Sequence, residues 1–298
     1  MCMIGKYIDP FTDFGFKRLF GSEENKKFLI SFLNDLLEIE YPIVDLTYRN
    51  LEQLGLNLID RKAVYDVYCT DSKGNHFVVE LQRAKQKYFK DRSVYYTTFP
   101  IQEQAQKGDW DYRLTPIYFI GILEFELDKD DEDYLTKVQL CNVKKNKVFY
   151  DKLTYYFIEM PKFKKEEEEL KNHLEYWLYF MKHLVNLETE PEVLKKDEVI
   201  KEAFDVASFL ALSKDEQFAY QIDLKARLDY KNTIDYAKEC AKEEGRAEGR
   251  EEGLKEGLKE GEKKAKIEIA KNLLDILDNE TISKKTGLSV EEIENLRR

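Results

Sequence analysis

The stretch Lys62-Ala-Val-Tyr-Asp66-Val-Tyr-Cys-Thr-Asp71-Ser-Lys73-Gly-Asn-His-Phe-Val-Val-Glu80-Leu-Gln82 decides the reading of this chain. Two runs rich in β-branched and aromatic residues flank the turn cluster Asp71-Ser-Lys-Gly-Asn75, which predicts a β-hairpin. With the turn centred on Lys73, residues whose numbers sum to 146 face each other, so Asp66 lies opposite Glu80. Side chains alternate faces along a strand, so Gln82 shares the face of Glu80 while Phe77, Val79 and Leu81 point the other way. Two carboxylates and an amide therefore converge on one side of a sheet that is apolar on the other. Hard cations such as Mg²⁺ take oxygen ligands of this kind. The same residues also fit a hairpin with one solvated face, a common arrangement. Against that reading, Asp is disfavoured inside strands, and Glu80 ends an apolar run where an unpaired charge is costly.

Composition sets the limits. The 298 residues hold 43% hydrophobic side chains, including 19 Tyr and 18 Phe, enough for a large core with appendages. A net charge of −11 excludes a surface that is basic throughout, so any nucleic-acid contact must come from a local patch. Four scattered cysteines and three histidines argue against a zinc site or a disulfide framework. With no apolar run of about 18 residues and an acidic N-terminus, the expectation is a soluble cytoplasmic protein that neither spans a membrane nor carries a signal peptide.

Along the chain, residues 1–21 form an aromatic-rich entry segment. A helix is expected from Ser22, as N-cap, to Leu37 with Glu23 and Glu24 in its first turn. Ile43–Asn50 reads as a strand. Past the hairpin, a helix over Gln86–Lys107 opens among Arg83, Lys85, Lys87, Lys90 and Arg92, a basic cluster suited to a phosphate backbone. Aromatics interleave with it and fit a core-facing stripe. Thr115–Leu123 reads as a strand buried on both faces. Asp128–Asp133 is a solvated acidic loop without a spaced calcium-ligand frame. Further strands are expected at Tyr134–Val143 and Thr154–Met160, giving an α/β core. Residues 164–240 carry helical periodicity throughout.

Glycines at 245, 249, 253, 257 and 261 then repeat every four residues among Glu, Lys and Arg. Each costs roughly 1 kcal/mol in a helix interior, partly offset by pairs such as Glu251–Lys255 and Glu260–Lys264. Such a helix serves either as an exposed spacer or as a small-residue stripe for a second helix. Residues 265–298 read as a small helix-turn-helix-like appendage, with a Gly287 stop and a Ser289-x-x-Glu292 capping box. Its final helix is too acidic to read a major groove, which favours docking or a homo-oligomer assembled through residues 241–298. The expected division is a core at 1–163, a helical subdomain at 164–240, the repeat at 241–264 and the appendage at 265–298.

Asp66, the hairpin turn and Glu80-x-Gln82 resemble the PD-(D/E)XK nucleases, in particular the branch of recombination-promoting nucleases and putative transposases, where Gln replaces the usual motif Lys. The opening Asp9-Pro-Phe-Thr-Asp13-Phe-Gly-Phe-Lys17-Arg-Leu-Phe-Gly21, the Arg92…Tyr95-Tyr96 helix, Pro161-Lys-Phe163 and the Glu-Gly repeat extend the resemblance over nearly the whole chain. It implies a restriction-endonuclease-like mixed sheet flanked by helices, with an α-helical C-terminal extension. It implies a DNA endonuclease that uses Mg²⁺ or Mn²⁺ held by Asp66, Glu80 and the Leu81 carbonyl, with Gln82 at the catalytic position. Many nucleases of this fold add an acidic residue from the first helix, for which Asp13, Glu23 and Glu24 are candidates. Lys17 is a candidate phosphate contact, and Arg92, Tyr96 and Gln104 occupy family positions. Loss of catalysis with retained nucleic-acid binding, or a purely assembling role, are the competing expectations.

Overall fold

A computed structural model of the chain describes residues 5–49, 65–105 and 110–297. Two compact units are present, Met1–Arg227 and Leu228–Arg298.

The first unit is built on a mixed sheet whose described strands are β1 (Leu46–Tyr48), β2 (Val67–Asp71), β3 (His76–Gln82), β4 (Ile117–Leu123), β5 (Leu135–Asn142) and β6 (Lys147–Glu159). Their order is β1-β2-β3-β4-β6-β5. β4 runs parallel to both of its neighbours, β3 and β6, and the outer pairings are antiparallel. The central place of β4 follows from its unbroken apolar run, with Phe119, Ile120 and Ile122 at most 1% exposed.

The hairpin register is the expected one, running from Val67↔Val79 to Thr70↔His76. Asp71 fixes it. One carboxylate oxygen accepts the Lys73 and Asn75 amides, the other accepts the Asn75 side chain, and Gly74 supplies the positive φ of 79°. The first hairpin strand, expected from Lys62 with Asp66 inside it, begins at Val67, so Asp66 stands just before the strand, and residues 62–64 lie outside the described residues.

Each sheet face carries its own core. Cys69, Phe77, Val79, Ile120 and Ile158 pack with Phe28, Phe32, Trp177 and Phe204 from helices α1 (Asp13–Phe20), α2 (Lys26–Leu36), α4 (His173–His183) and α5 (Glu198–Ala207) and their neighbours. Tyr68, Val78, Phe119 and Phe157 pack under α3 (Phe89–Glu103) through Phe89. α4 and α5 thus share one core with the sheet.

The entry segment departs from expectation, because a helix begins there. Thr12 caps α1, its hydroxyl accepting the Gly15 amide at 2.9 Å. At Gly15 a Cβ would stand 2.1 Å from the Asp9 carbonyl oxygen, so only glycine lets the two turns close. Gly21 ends α1, and the helix expected to start at Ser22 is a 3₁₀ turn at Glu23–Asn25 followed by α2. Ser22 makes no side-chain capping bond. The strand expected over Ile43–Asn50 shortens to β1 because the Asn34 amide takes both the N–H and the C=O of Ile43; Asn50 lies outside the described residues. α3 is shorter than Gln86–Lys107, and Lys107 with Gly108 falls outside the described residues. β6 is longer, starting at Lys147 rather than Thr154.

His173 ties three elements of this unit. Its Nδ1 meets the Asp35 carboxylate of α2, and Nε2 meets Asp197, the N-cap of α5, at 2.7 Å. Two carboxylate partners call for the doubly protonated ring, and the Asp35 bond raises its pKa against the opposing effect of burial. A raised folded pKa stabilises fully below the unfolded value of about 6.5 and is lost as pH rises through the folded value. In thermal melts, His173→Gln is expected to destabilise at pH about 5.5 and to approach wild type as pH climbs past the raised pKa. A gap independent of pH would contradict the charged bridge.

α6 (Lys214–Leu273) begins in the first unit and continues into the second. A Cβ at any of its repeat glycines would meet nothing within 4 Å beyond the helix's own backbone, and the Glu251–Lys255 and Glu260–Lys264 pairs form at 2.7 and 3.7 Å. Beyond it, α7 (Asn279–Thr286) and α8 (Val290–Arg297) close over Ala270, Ile282, Leu288 and Ile293. Gly287 adopts φ 73° as the C-cap, and Ser289 with Glu292 forms the capping box. Arg297, a basic residue of the final helix, donates to the Leu274 and Leu277 carbonyls and so closes the end of α6.

Candidate active site

Extending the hairpin register by one pair brings Asp66 opposite Glu80, beyond the last ladder pair. The Asp66 amide donates to Glu80 Oε1 at 3.2 Å, and the Leu81 amide donates to Asp66 Oδ2 at 2.6 Å. Glu80 is 2% exposed, and Gln82 Nε2 donates to its Oε2 at 3.0 Å. The three residues expected to converge do so, on the α3 side of the sheet. The Gln82 carbonyl accepts the Glu124 amide across the β4 side. Because N–H and C=O of one strand residue point to the same side, the Leu81 carbonyl is directed with its amide toward Asp66.

The electrostatics are frustrated. Burial, then the neighbouring Asp66 charge, push the Glu80 carboxyl well above the usual range. Burial also raises Asp66, with Asp13 adding to it and the Leu81 amide, Lys17 and Arg83 opposing. Among the described residues the nearest cation to Glu80 is Arg92 of α3, with Nη2 4.0 Å from Oε2. Arg92 is held by Gln86 at 2.6 Å and lies over the Phe89 and Tyr96 rings. Tyr96 stands edge-on to Tyr65 at 5.3 Å, and its hydroxyl is raised by burial and then by Glu80.

Among the other expected site residues, Asp13 and Lys17 are ion-paired at 2.9 Å on α1, half exposed, and both act electrostatically on Asp66. They line an open groove of about 830 Å³ together with Glu23, Glu24 and Asp223. Arg83 reaches Asp223 at 3.9 Å. The remaining basic residues go elsewhere. Lys85 donates to the Glu126 and Leu127 carbonyls, Lys87 sits over the Tyr88 ring, and Lys90 lines a separate cavity with Asp128 and Asp131. Gln104 fastens the end of α3 to Thr115, accepting its amide at 2.7 Å. Among the described residues no group of three or more His, Cys, Asp or Glu side chains forms a ready metal cage, so the candidate centre is a carboxylate pair.

Sequence reasoning assigned no role to a neighbouring ion cluster. Arg227 of α6 grips Glu124 with two bonds of 2.6 Å and Asp9 with one of 2.8 Å, and donates to the Phe11 carbonyl. Glu124 follows β4 directly beside Gln82, while Asp9 opens the turn into α1. The cluster therefore fixes α1, and with it Asp13, relative to the sheet end that carries the carboxylates. The Asp9 and Glu124 signals are single acids more than 100 residues apart, with nothing local to pair them.

A family model described as PD-(D/E)XK nuclease family transposase matches residues 10–237. The chain belongs to that family, and its six-stranded mixed sheet flanked by helices is the corresponding α/β fold. No curated protein and no solved structure matches the chain. No helix among the described residues is long and apolar enough to cross a membrane.

Proposed function

We propose that this nuclease-family protein is a divalent-cation-dependent DNA endonuclease whose centre is Asp66 and Glu80. One observation carries the reading: two carboxylates share one buried sheet face, bridged through the Asp66 and Leu81 amides, with no cation among the described residues nearer to Glu80 than 4.0 Å. Like charges held together in a poorly solvated site call for a positive partner. The donor set is all oxygen and suits Mg²⁺ or Mn²⁺.

Asp66, Glu80 and the Leu81 carbonyl would hold the ion. When bound, it would supply Lewis acidity toward a phosphate oxygen and toward water. The chain supplies the rest. The Gln82 amide, with one N–H committed to Glu80, retains a second N–H and a carbonyl to orient water or phosphate. It can neither act as a base nor carry charge, so Arg92, packed on the Phe89 and Tyr96 rings and bonded to Gln86, would meet part of the charge developing on a phosphate. Lys17 and Arg83 offer further positive charge beside Asp66.

Thermal melting with and without cation tests the binding half of this reading. Glu80 takes up its proton more readily when folded, which stabilises fully below the ordinary carboxylate pKa and is lost as pH rises through the raised value. In EDTA, the stability of Glu80→Gln relative to wild type is therefore expected to improve as pH rises above about 4.3. Mg²⁺ should raise the wild-type melting temperature more at pH about 8.5 than at pH about 6, and leave Glu80→Gln unmoved. An equal Mg²⁺ effect in both proteins would remove the site from the carboxylate pair. Cation binding without cleavage would favour a nucleic-acid-binding module on the same fold.

A further inference from the structure

The end of the β5–β6 hairpin has no part in the reading above. Residues 137–152 hold five lysines against one aspartate, a local charge of +4 in a chain of −11. Lys137 is paired with Glu38, and Lys152 donates to the Leu114 carbonyl. The three lysines at the tip, Lys144, Lys145 and Lys147, are exposed and have no ion-pair partner among the described residues. Beside them Val143 is 90% exposed and Phe149 78%. The tip is a defined turn. The Lys145 amide donates to both the backbone and the side-chain oxygen of Asn142, and Asn146 takes φ 45°. Pairing of β6 with β4 starts at Leu153↔Ile117, so residues 147–152 carry the hairpin beyond the parallel strands.

We propose that this hairpin end is a second anchoring site for duplex DNA, remote from the carboxylate pair; the inference rests on the nuclease reading of that pair. Point charges on lysines match phosphates without reading sequence. Exposed apolar side chains next to them are the wedge with which backbone-binding proteins press on sugars and base steps. Spacing supports the same partner. Glu80 is level with Phe157 of β6 through Gly121 of β4, and Lys147 lies ten residues back along that strand. At roughly 3.3 Å per residue this is at most about 33 Å, close to the ~34 Å helical turn of B-DNA. Because α3 covers the sheet face between the two points, a duplex that reaches both would pass outside α3, with the tip about one turn from Asp66 and Glu80.

Fluorescence anisotropy of the full chain in EDTA tests this, with labelled duplexes of about 30 and about 8 base pairs across about 50–200 mM salt. The variant Lys144→Ala/Lys145→Ala/Lys147→Ala is expected to bind the long duplex at least tenfold more weakly, with a salt slope smaller by about two to three. The short duplex, which cannot span both sites, should lose much less affinity in the variant than the long one. Phe149→Ala should weaken long-duplex binding without changing the slope. Melting curves of the variants should match wild type, because the tip lysines have no ion-pair partner among the described residues to lose. Equal affinity and slope for the long duplex would overturn the hairpin site and leave the nuclease reading standing. No duplex binding by any of the proteins, at any salt, would overturn both. Wild-type capture of phosphatidylglycerol vesicles that the triple variant loses, with duplex binding unchanged, would reassign the tip to an anionic lipid surface.

Discussion

Asp66→Ala and Glu80→Ala are each expected to abolish Mg²⁺-dependent plasmid cleavage, by roughly a thousandfold or more, the scale of losing a preorganised charge-stabilising group. The two changes fail for related reasons. Asp66 accepts the Leu81 amide, and Glu80 accepts the Asp66 amide, so each carboxylate also positions the other's strand. No neutral neighbour replaces either as an oxygen ligand, and Mg²⁺ gives up its waters reluctantly. Gln82→Lys is the informative companion. A Lys ammonium at that position would lie beside Glu80 Oε2, where the Gln82 amide now lies at 3.0 Å. It would lower the proton affinity of Glu80 and stabilise a charged transition state, so cleavage is expected to be retained or to rise. EDTA-resistant cleavage equal in wild type and Asp66→Ala would point to another nuclease in the preparation.

Arg227→Met is expected to give the largest loss of stability outside the site. It leaves Asp9 and Glu124 as two carboxylates without their shared cation, and their side chains are only 12% and 23% exposed. Breaking a buried pair by removing one partner costs about 3–5 kcal/mol, and the partial exposure here argues for the lower end, about 3 kcal/mol. For a unit of this size that is a fall in melting temperature of roughly 6–12 °C. Arg227→Lys keeps the charge but not the two-pronged grip on Glu124, so an intermediate loss is expected. A melting curve of Arg227→Met within about 2 °C of wild type would show that the cluster is not stabilising.

How far the sequence goes depends on the range of the interaction. The hairpin register is readable because everything that sets it lies within the hairpin: the Asp71 turn, Gly74 and the pairing of residues equidistant from Lys73. The interior place of β4 is readable from its own composition. α1 is not, because Asp13-Phe-Gly-Phe looks irregular until Thr12 caps it and the Asp9 turn closes against Gly15. The start of β6 is missed for the opposite reason. Lys147–Lys152 has too little buried surface to read as a strand and is extended because it pairs with β5. Proximity in sequence also misleads over the basic cluster. Of five residues after the hairpin, Arg92 and Arg83 stand by the carboxylates, while Lys85 is spent on backbone carbonyls. The electrostatic reach of Asp13 to Asp66, His173 between two aspartates and Arg227 between Asp9 and Glu124 are long-range relations with no local trace.

The central claim is that Asp66 and Glu80 together bind one divalent cation, and Mn²⁺ titration followed by electron paramagnetic resonance measures this without requiring turnover. At pH about 8.5, where the Glu80 proton is most easily displaced, the wild-type chain is predicted to take up Mn²⁺ at a saturable site that Mg²⁺ competes for. Glu80→Gln and Asp66→Asn, which keep the shape of the pair and remove one charge each, are predicted to lose that uptake. Mn²⁺ binding of the same affinity in wild type and both variants would contradict the assignment.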